Sequence, residues 1–185
     1  MESLRSMMTA EQLLALHDST GPCELVRGNL VREPSPGWRH GKFAARLAVR
    51  IGGFVDEKGL GVTLGAETGF LLRRDPDTVR APDFAFVSTT RAAPFENHPG
   101  YAPIAPDLIA EVLSPSDRLS VVREKIADWL AAGTLVALIV DPVHEAVFVH
   151  RANTPVEILA GDDVFRADNV LPGFELALAD LFANR

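Results

Sequence analysis

Apolar residues recur along the chain with two different periods, and the change between them predicts alternating helices and strands. Apolar positions at helical spacing between residues 43 and 55 predict one long helix over Trp38–Lys58, which Gly59 ends. A short helix is predicted to begin after Thr9, because Thr9 and Gln12 have the spacing of a capping box.

Short apolar runs bounded by turn residues predict strands. Gly28-Asn29, between runs at 23–27 and 30–33, is predicted to be the two-residue turn of a hairpin. Further strands are predicted over 60–64, 68–73, 79–87, 107–113, 135–140, 147–150, 156–159 and 164–165. A third helix is predicted over 119–132, a long loop over 88–106 and a last helical turn over 178–182. This order predicts a mixed α/β fold, with a central mixed sheet flanked by helices and preceded by an N-terminal helix and hairpin.

The amino-acid composition restricts the possible class of protein further. The chain has 185 residues, of which 47% are hydrophobic, which suits one domain with a sizeable core. We expect that domain to cover 9–185, after a loose N-terminus at 1–8. The single cysteine, Cys23, excludes an internal disulfide framework and a cysteine-built zinc site, and it predicts a reducing, cytoplasmic location. No apolar run has the length that a bilayer requires and no signal-peptide pattern is present, so no membrane partner is predicted.

Charge is distributed unevenly along the chain. The formal net charge is −7, which argues against a protein that coats nucleic acid in general. Between residues 27 and 50, however, there are six basic residues and one acidic residue. Four of the basic residues share one face of the predicted long helix: Arg39, Lys42, Arg46 and Arg50. This basic row either follows a phosphate backbone, with duplex favoured because stacking aromatic groups are scarce, or is an ordinary solvated face.

Two acidic residues lie where apolar residues are expected. Asp83 lies within the predicted strand 79–87, and Glu111 shares the apolar face of the predicted strand 107–113. A buried carboxylate costs free energy unless it is paired or bound to a cation. If the two strands are neighbours, the two acids can hold one Mg²⁺, which takes one or two carboxylates and completes its shell with water and phosphate. The alternative is that both are ordinary capping or salt-bridging acids.

Lys125 is the candidate basic group beside these acids. It lies at the border of the apolar face of the helix predicted over 119–132, roughly 90° from the centre of that face. From there its ammonium can lean over the sheet, where it would position a water molecule or stabilise phosphoryl charge. Arg123 borders the other side of the same face, and an exposed lysine is the open alternative.

These residues belong to a longer pattern. Pro82-Asp83, the segment from Glu111 to Asp117, and Lys125 with Gly133 closing its helix resemble the PD-(D/E)XK nuclease superfamily. More narrowly, the chain is similar to the Uma-type restriction endonuclease family over nearly its whole length. The further matching words are Thr9-Ala10-Glu11, Glu24-Leu25-Val26, His40-Gly41, Glu67-Thr68-Gly69-Phe70, Val79-Arg80-Ala81 and Val140-Asp141-Pro142.

The resemblance implies a restriction-endonuclease-like fold and a metal-dependent endonuclease that hydrolyses phosphodiester bonds, with double-stranded DNA as the expected substrate. It implies that Asp83 and Glu111 bind Mg²⁺, with Mn²⁺ as a substitute, and that Lys125 is the catalytic lysine. In the superfamily pattern the lysine stands two residues after the second acid, where this chain has Leu113, so Lys125 on the following helix takes its place. By analogy with the fold, duplex cleavage implies a homodimer.

Two further residues are accessory candidates. Glu24 either reaches the metal through a water molecule or is an exposed strand residue, and His40 either contacts phosphate or lies on the surface. Two other functions stay open. One is a non-catalytic nucleic-acid-binding module on the same fold, and the other is a metal-dependent hydrolase of another phosphoester.

Overall fold

Helices and strands alternate through the computed structural model of the chain, which describes residues 7–33 and 35–183. The helices of this part are α1 (Ala10–Thr20), α2 (Trp38–Lys58), α3 (Thr89–Ala92), α4 (Leu119–Ala131) and α5 (Leu178–Phe182). The strands are β1 (Cys23–Val26), β2 (Asn29–Arg32), β3 (Gly61–Gly65), β4 (Phe70–Arg73), β5 (Thr78–Arg80), β6 (Phe84–Ser88), β7 (Leu108–Val112), β8 (Val136–Asp141), β9 (Ala146–His150), β10 (Glu157–Ala160), β11 (Val164–Arg166) and β12 (Glu175–Ala177). Residues 1–6 of the predicted loose N-terminus lie outside the described residues, and the single domain over 9–185 stays a prediction.

The centre of the fold is a six-stranded sheet in the order β10-β9-β8-β7-β6-β3. β7 and β8 pair in parallel, and the other neighbours are antiparallel. α4 provides the crossover that a parallel pair requires. Both parallel strands are buried along their whole length, as continuous apolar strands covered on two faces should be. The predicted mixed α/β fold, with a central mixed sheet flanked by helices, is confirmed.

Two helices cover the two faces of this sheet. α2 has the predicted bounds and packs through Phe43, Leu47 and Ile51 on one face. α4 packs through Ile126 and Trp129 on the other face. The periodicity of each helix therefore decides which of its side chains enter the core and which remain at the border.

The N-terminal hairpin belongs to a second sheet, which has four strands in the order β2-β1-β5-β4. α1, which begins with the predicted capping box at Thr9, packs on one face of this sheet, where its Leu13 and Leu25 of β1 share one apolar cluster. On the other face, the ring of Trp129 in α4 lies 5.9 Å from the ring of Phe70 in β4. α4 therefore lies between the two sheets, and the side chains at its borders can meet residues of both.

The prediction of one strand over 79–87 is wrong. The segment divides into β5 and β6, which belong to different sheets, with Ala81-Pro82-Asp83 between them. Pro82 has no N–H to donate to a ladder, which favours a break at this point. Asp83 therefore lies in the junction directly before β6, not inside a strand.

Smaller differences concern turns and loops. The hairpin turn is Arg27-Gly28, one residue earlier than predicted, because Val26 pairs with Asn29. Both turn residues have positive φ, 49° and 75°, as a type I′ turn requires. The predicted loop 88–106 contains α3 and a 3₁₀ turn, and β12 was not predicted. Within the described ranges, no helix has the length and apolar character needed to cross a membrane.

Candidate active site

Asp83 and Glu111, which we call the acid pair, come together through the pairing of β6 and β7. The two strands are antiparallel, and Phe84 pairs with Ala110, so the next step of the same register sets Asp83 across from Glu111. Asp83 Oδ2 accepts a hydrogen bond of 2.7 Å from the backbone N–H of Val112. The neighbouring strands that the sequence interpretation required are therefore present, and the acids lie at one end of the central sheet.

The ammonium of Lys125 lies directly beside the acid pair. Its Nζ donates to Glu111 Oε2 at 2.9 Å, to Glu24 Oε1 at 3.0 Å and to the carbonyl oxygen of Ala81 at 2.9 Å. These three acceptors use all three donors of the ammonium. The side chain is only 15% exposed, so it is not the exposed lysine of the alternative interpretation. Arg123, the other border residue, is exposed.

Glu111 is a buried carboxylate with an unusual proton affinity. Its Oε1 accepts a hydrogen bond of 3.2 Å from Trp129 Nε1. Burial, together with the charges of Asp83 and Glu24, raises the pKa of Glu111 to about 8 against the opposing effect of Lys125. Burial opposes the charged form of Lys125, but Glu111 and Glu24 overcome this and raise the pKa of its ammonium. The lysine is therefore held charged, while Glu111 retains a proton more readily than an ordinary carboxyl group.

Glu24 is 2% exposed, which excludes the exposed strand residue of the alternative interpretation. Its Oε2 accepts a hydrogen bond of 2.7 Å from Arg80 Nη1, and Arg80 Nη2 in turn donates to Asp128 Oδ2 at 2.6 Å. We call Glu24, Arg80 and Asp128 the buried frame. Sequence reasoning missed Arg80 and Asp128. Arg80 is a charged residue in an apolar run, and Asp128 stands one helical turn after Lys125. Each residue therefore had a sequence feature that could have identified it as part of the site.

His40 lies at the first turn of α2 and faces the acid pair. Its Nε2 donates to Asp83 Oδ2 at 2.9 Å, and its side chain is 11% exposed, so it is not a surface histidine. Its Nδ1 is buried and has no hydrogen-bond partner among the described residues. The hydrogen bond to Asp83 raises the pKa of His40, and burial only partly offsets that effect. His40 therefore fixes one oxygen of the acid pair.

The acid pair, Lys125 and His40 line a cavity of about 380 Å³. The cavity lies between the hairpin β1–β2, the start of α4 and the segment 81–83. Its basic lining residues are Arg80, Arg118 and Lys125, and its acidic lining residues are Glu24, Glu33, Glu67, Asp83, Glu111, Asp117 and Glu124. This surplus of acidic side chains favours a cation over an anion in the free protein.

The donor set of the acid pair fits a hard divalent cation. The carboxylates of the buried frame offset Arg80 and most of the charge of Lys125, so the surplus negative charge lies at the acid pair. Carboxylate oxygens are the ligands that Mg²⁺ prefers. In the part of the chain that the structure describes, no group of three or more acidic, histidine or cysteine side chains is arranged to hold a metal. The residues therefore fit a metal site with two carboxylate ligands, in which water and phosphate would complete the coordination shell.

Two residues of the basic row of α2 already make hydrogen bonds within the protein. The guanidinium of Arg39 donates to the carbonyl oxygen of Pro142, and Arg46 Nη1 donates to the carbonyl oxygen of Leu181 at 2.8 Å. Lys42 lies over the ring of Phe43, with its Nζ 5.7 Å from the ring centre. The four residues are not part of the described lining of the cavity. The row is a separate positive surface, and its contact with nucleic acid stays a prediction.

The mixed sheet flanked by helices, with the acid pair at its end and a buried lysine beside it, resembles the arrangement that the sequence pattern predicted for a restriction-endonuclease-like nuclease. A family model described as "Putative restriction endonuclease", Uma2, matches residues 10–179. The chain belongs to this family, and the resemblance found in its sequence is confirmed. No curated protein matches the chain.

A solved structure has the same fold. It is a crystal structure described as "a putative nuclease belonging to DUF820" from Anabaena variabilis, with a TM-score of 0.81. The match covers 95% of this chain and 97% of that chain at 23% sequence identity. At this identity the likeness supports the fold, while the family match supports the nuclease class.

Proposed function

We propose that the chain is a Mg²⁺-dependent endonuclease that hydrolyses phosphodiester bonds in double-stranded DNA. Asp83 and Glu111 are the proposed metal ligands and Lys125 the proposed catalytic lysine. The observation that carries this proposal is the ammonium of Lys125, held 2.9 Å from Glu111 at the wall of an acidic cavity. The family match supports the reaction class.

Charge is the first argument for the metal. Four buried or half-buried carboxylates share the permanent charges of only one arginine and one lysine in this network. A divalent cation at the acid pair would remove the surplus negative charge and let phosphate enter the cavity. When bound there, Mg²⁺ supplies an activated water molecule and stabilises charge on the phosphate oxygens. Mn²⁺ has the same preference for carboxylate oxygens and is the proposed substitute.

The residues of the chain then have separate tasks. His40 and the backbone N–H of Val112 both donate to Asp83 Oδ2, and together they fix that carboxylate. Trp129 fixes one oxygen of Glu111. Lys125 holds a full positive charge beside the acid pair, where it stabilises negative charge that develops during hydrolysis. Each of these groups is held in place before substrate binds, which is how preorganised sites lower a barrier.

The basic row is the proposed surface for the duplex backbone. Its residues lie on α2, the helix that also carries His40 in its first turn, so one helix joins the basic row to the site. A homodimer would supply the two sites that cleavage of both strands requires, and a cytoplasmic location is the proposed setting. The surface for the duplex, the homodimer and the cytoplasmic location are parts of the proposal that go beyond the nuclease class.

A plasmid-cleavage assay tests the proposal. Supercoiled plasmid should be nicked or linearised in Mg²⁺ or Mn²⁺ and remain intact in EDTA. Asp83→Asn should abolish cleavage, whereas the control Asp117→Asn, which removes the same charge from an exposed residue of the cavity wall, should retain it. Turnover of small phosphodiesters without plasmid cleavage would instead indicate another phosphoesterase. Mg²⁺ affinity or DNA binding without any turnover would indicate a non-catalytic module.

A further inference from the structure

The buried frame joins the four-stranded sheet to α4, the helix that lies between the two sheets. Glu24 belongs to β1, Arg80 to β5 and Asp128 to α4. Arg80 uses its guanidinium as a bridge: Nη1 donates to Glu24 at 2.7 Å, while Nε and Nη2 donate to Asp128 Oδ2 at 3.0 and 2.6 Å. Asp128 and Lys125 stand on the same side of α4, one turn apart. The frame thus joins the hairpin to the helix that carries the lysine.

Both oxygens of Glu24 are already engaged in this frame. Oε1 accepts from the backbone N–H of Ala81 at 2.9 Å and from Lys125 Nζ at 3.0 Å, and Oε2 accepts from Arg80. Burial alone would raise the pKa of Glu24, but the charges of Lys125 and Arg80 lower it below its ordinary value. To reach a cation at the acid pair, Glu24 would have to leave Arg80, which is only 4% exposed. Arg80 would then keep only Asp128, the partly exposed end of the frame, and breaking a buried ion pair is strongly destabilising.

We propose that Glu24 is a positioning residue for Lys125, held in place by Arg80 and Asp128, and not a ligand of the metal. This inference rests on the proposed function of the acid pair. A lysine has a long flexible stem, and Glu111 cannot anchor it alone if its oxygens turn toward a cation. Glu24 and the carbonyl oxygen of Ala81 then remain as two fixed acceptors for the ammonium. The frame explains how a lysine on a helix can replace one on the strand.

Glu24→Gln tests this assignment with a minimal change of shape. An amide has one acceptor oxygen and one donor nitrogen, so it faces either Arg80 or Lys125 with a donor. Glu124→Gln is the matched control, since Glu124 is exposed, lines the same cavity and is the neighbour of Lys125. Three quantities are measured on each full-length variant: Mg²⁺ affinity by calorimetry, kcat on plasmid, and labelling of lysines by an amine reagent with mass spectrometry. The chain has only Lys42, Lys58 and Lys125, so the labelling of each is resolved.

A positioning role predicts that Glu24→Gln lowers kcat by about 10- to 100-fold, as loss of an orienting partner typically does, with Mg²⁺ affinity within about twofold. Labelling of Lys125 should increase relative to Lys42 and Lys58, and the control should match the wild type in all three measurements. A loss of Mg²⁺ affinity of about tenfold or more would overturn the assignment in favour of a ligand role. Unchanged kcat and labelling would overturn it as well.

A second variant covers the case in which Glu24→Gln does not fold. Asp128→Asn removes one charge at the half-exposed end of the frame and should increase labelling of Lys125 in the same direction but by less. Labelling does not require turnover. If the wild type cleaves no DNA, the proposed nuclease function fails while the labelling of Lys125 still decides whether the frame positions it.

Discussion

Replacing Glu111 with glutamine should change how stability depends on pH in metal-free buffer. Burial raises the pKa of Glu111 from its ordinary value of 4.5 to about 8 in the folded protein. Between these two values the folded state holds a proton that the unfolded state has released. The stability associated with this group is therefore fully present below pH 4.5 and is lost as the pH rises toward 8. Glutamine does not titrate, so the variant lacks this loss.

The expected magnitude follows from proton linkage. Where one state holds a single additional proton, the free energy of unfolding changes by at most about 1.4 kcal/mol per pH unit. The network of Lys125 and Glu24 around Glu111 spreads the titration, so we expect a slope of roughly 1 kcal/mol per pH unit for the difference between variant and wild type. Over the two units from pH 5.5 to 7.5 the difference should grow by about 2 kcal/mol in favour of the variant.

Urea unfolding in EDTA at several pH values, followed by tryptophan fluorescence, measures this difference. Glu124→Gln, which changes an exposed acid on the same cavity, should run parallel to the wild type. Parallel curves for Glu111→Gln and wild type would refute the reasoning, because they would mean that Glu111 is ionised in the folded protein throughout the range. A pKa of Glu111 depressed below 4.5 by Lys125 would give the same parallel curves in this range, with a difference that shrinks with rising pH only below pH 4.5.

Further predictions concern the metal, the lysine, the basic row and the tryptophan. Mg²⁺ at about 100 times its Kd should raise the Tm of the wild type by about 5–10 °C in calorimetric scans, and Glu111→Gln should lose this gain. Lys125→Ala should lower kcat on plasmid by about 10²- to 10³-fold while Mg²⁺ affinity is kept, and Lys125→Arg should rescue poorly because its guanidinium is planar and larger. Replacing Lys42 and Arg50 with glutamine should make the slope of log affinity for duplex against log salt shallower by about 2, measured by anisotropy; an unchanged slope would place the DNA elsewhere. Trp129→Phe should lower the free energy of unfolding in urea by about 1–2 kcal/mol, since it keeps an aromatic ring but removes the donor to Glu111.

The elements that the sequence predicted well are those whose pattern is long and locally capped. α2 has both ends as predicted, because its apolar stripe from Phe43 to Val55 continues over more than three turns and Gly59 adopts the left-handed conformation that closes the helix (φ 62°). β7 and β8 were predicted within one or two residues because buried parallel strands are continuous apolar runs. In these cases local sequence and tertiary environment require the same residues.

The contacts of the site depend on the docking of distant elements, which a local pattern does not encode. The helical angle set Lys125 at the border of the apolar face, but it equally allowed an exposed lysine. Only the placement of β1 beside α4 brings Glu24 to Lys125, and only the register of β6 with β7 brings Asp83 beside Glu111. Glu24 has no sequence neighbour that reveals a partner.

The one strand predicted wrongly is also where the site forms. The apolar periodicity predicted a single strand over 79–87. It did not explain why that strand would contain a charged residue, Arg80, or a proline in its middle, Pro82. The structure gives a reason for each. Arg80 is the last residue of β5 and belongs to the buried frame. Pro82 lies where the chain passes from one sheet to the other, and Asp83, which follows it, accepts a hydrogen bond from β7. A continuous strand would have kept Arg80 and Asp83 in one sheet. The break therefore has a role, because it brings the frame that holds Lys125 and the acid pair that faces the cavity to the same edge of α4.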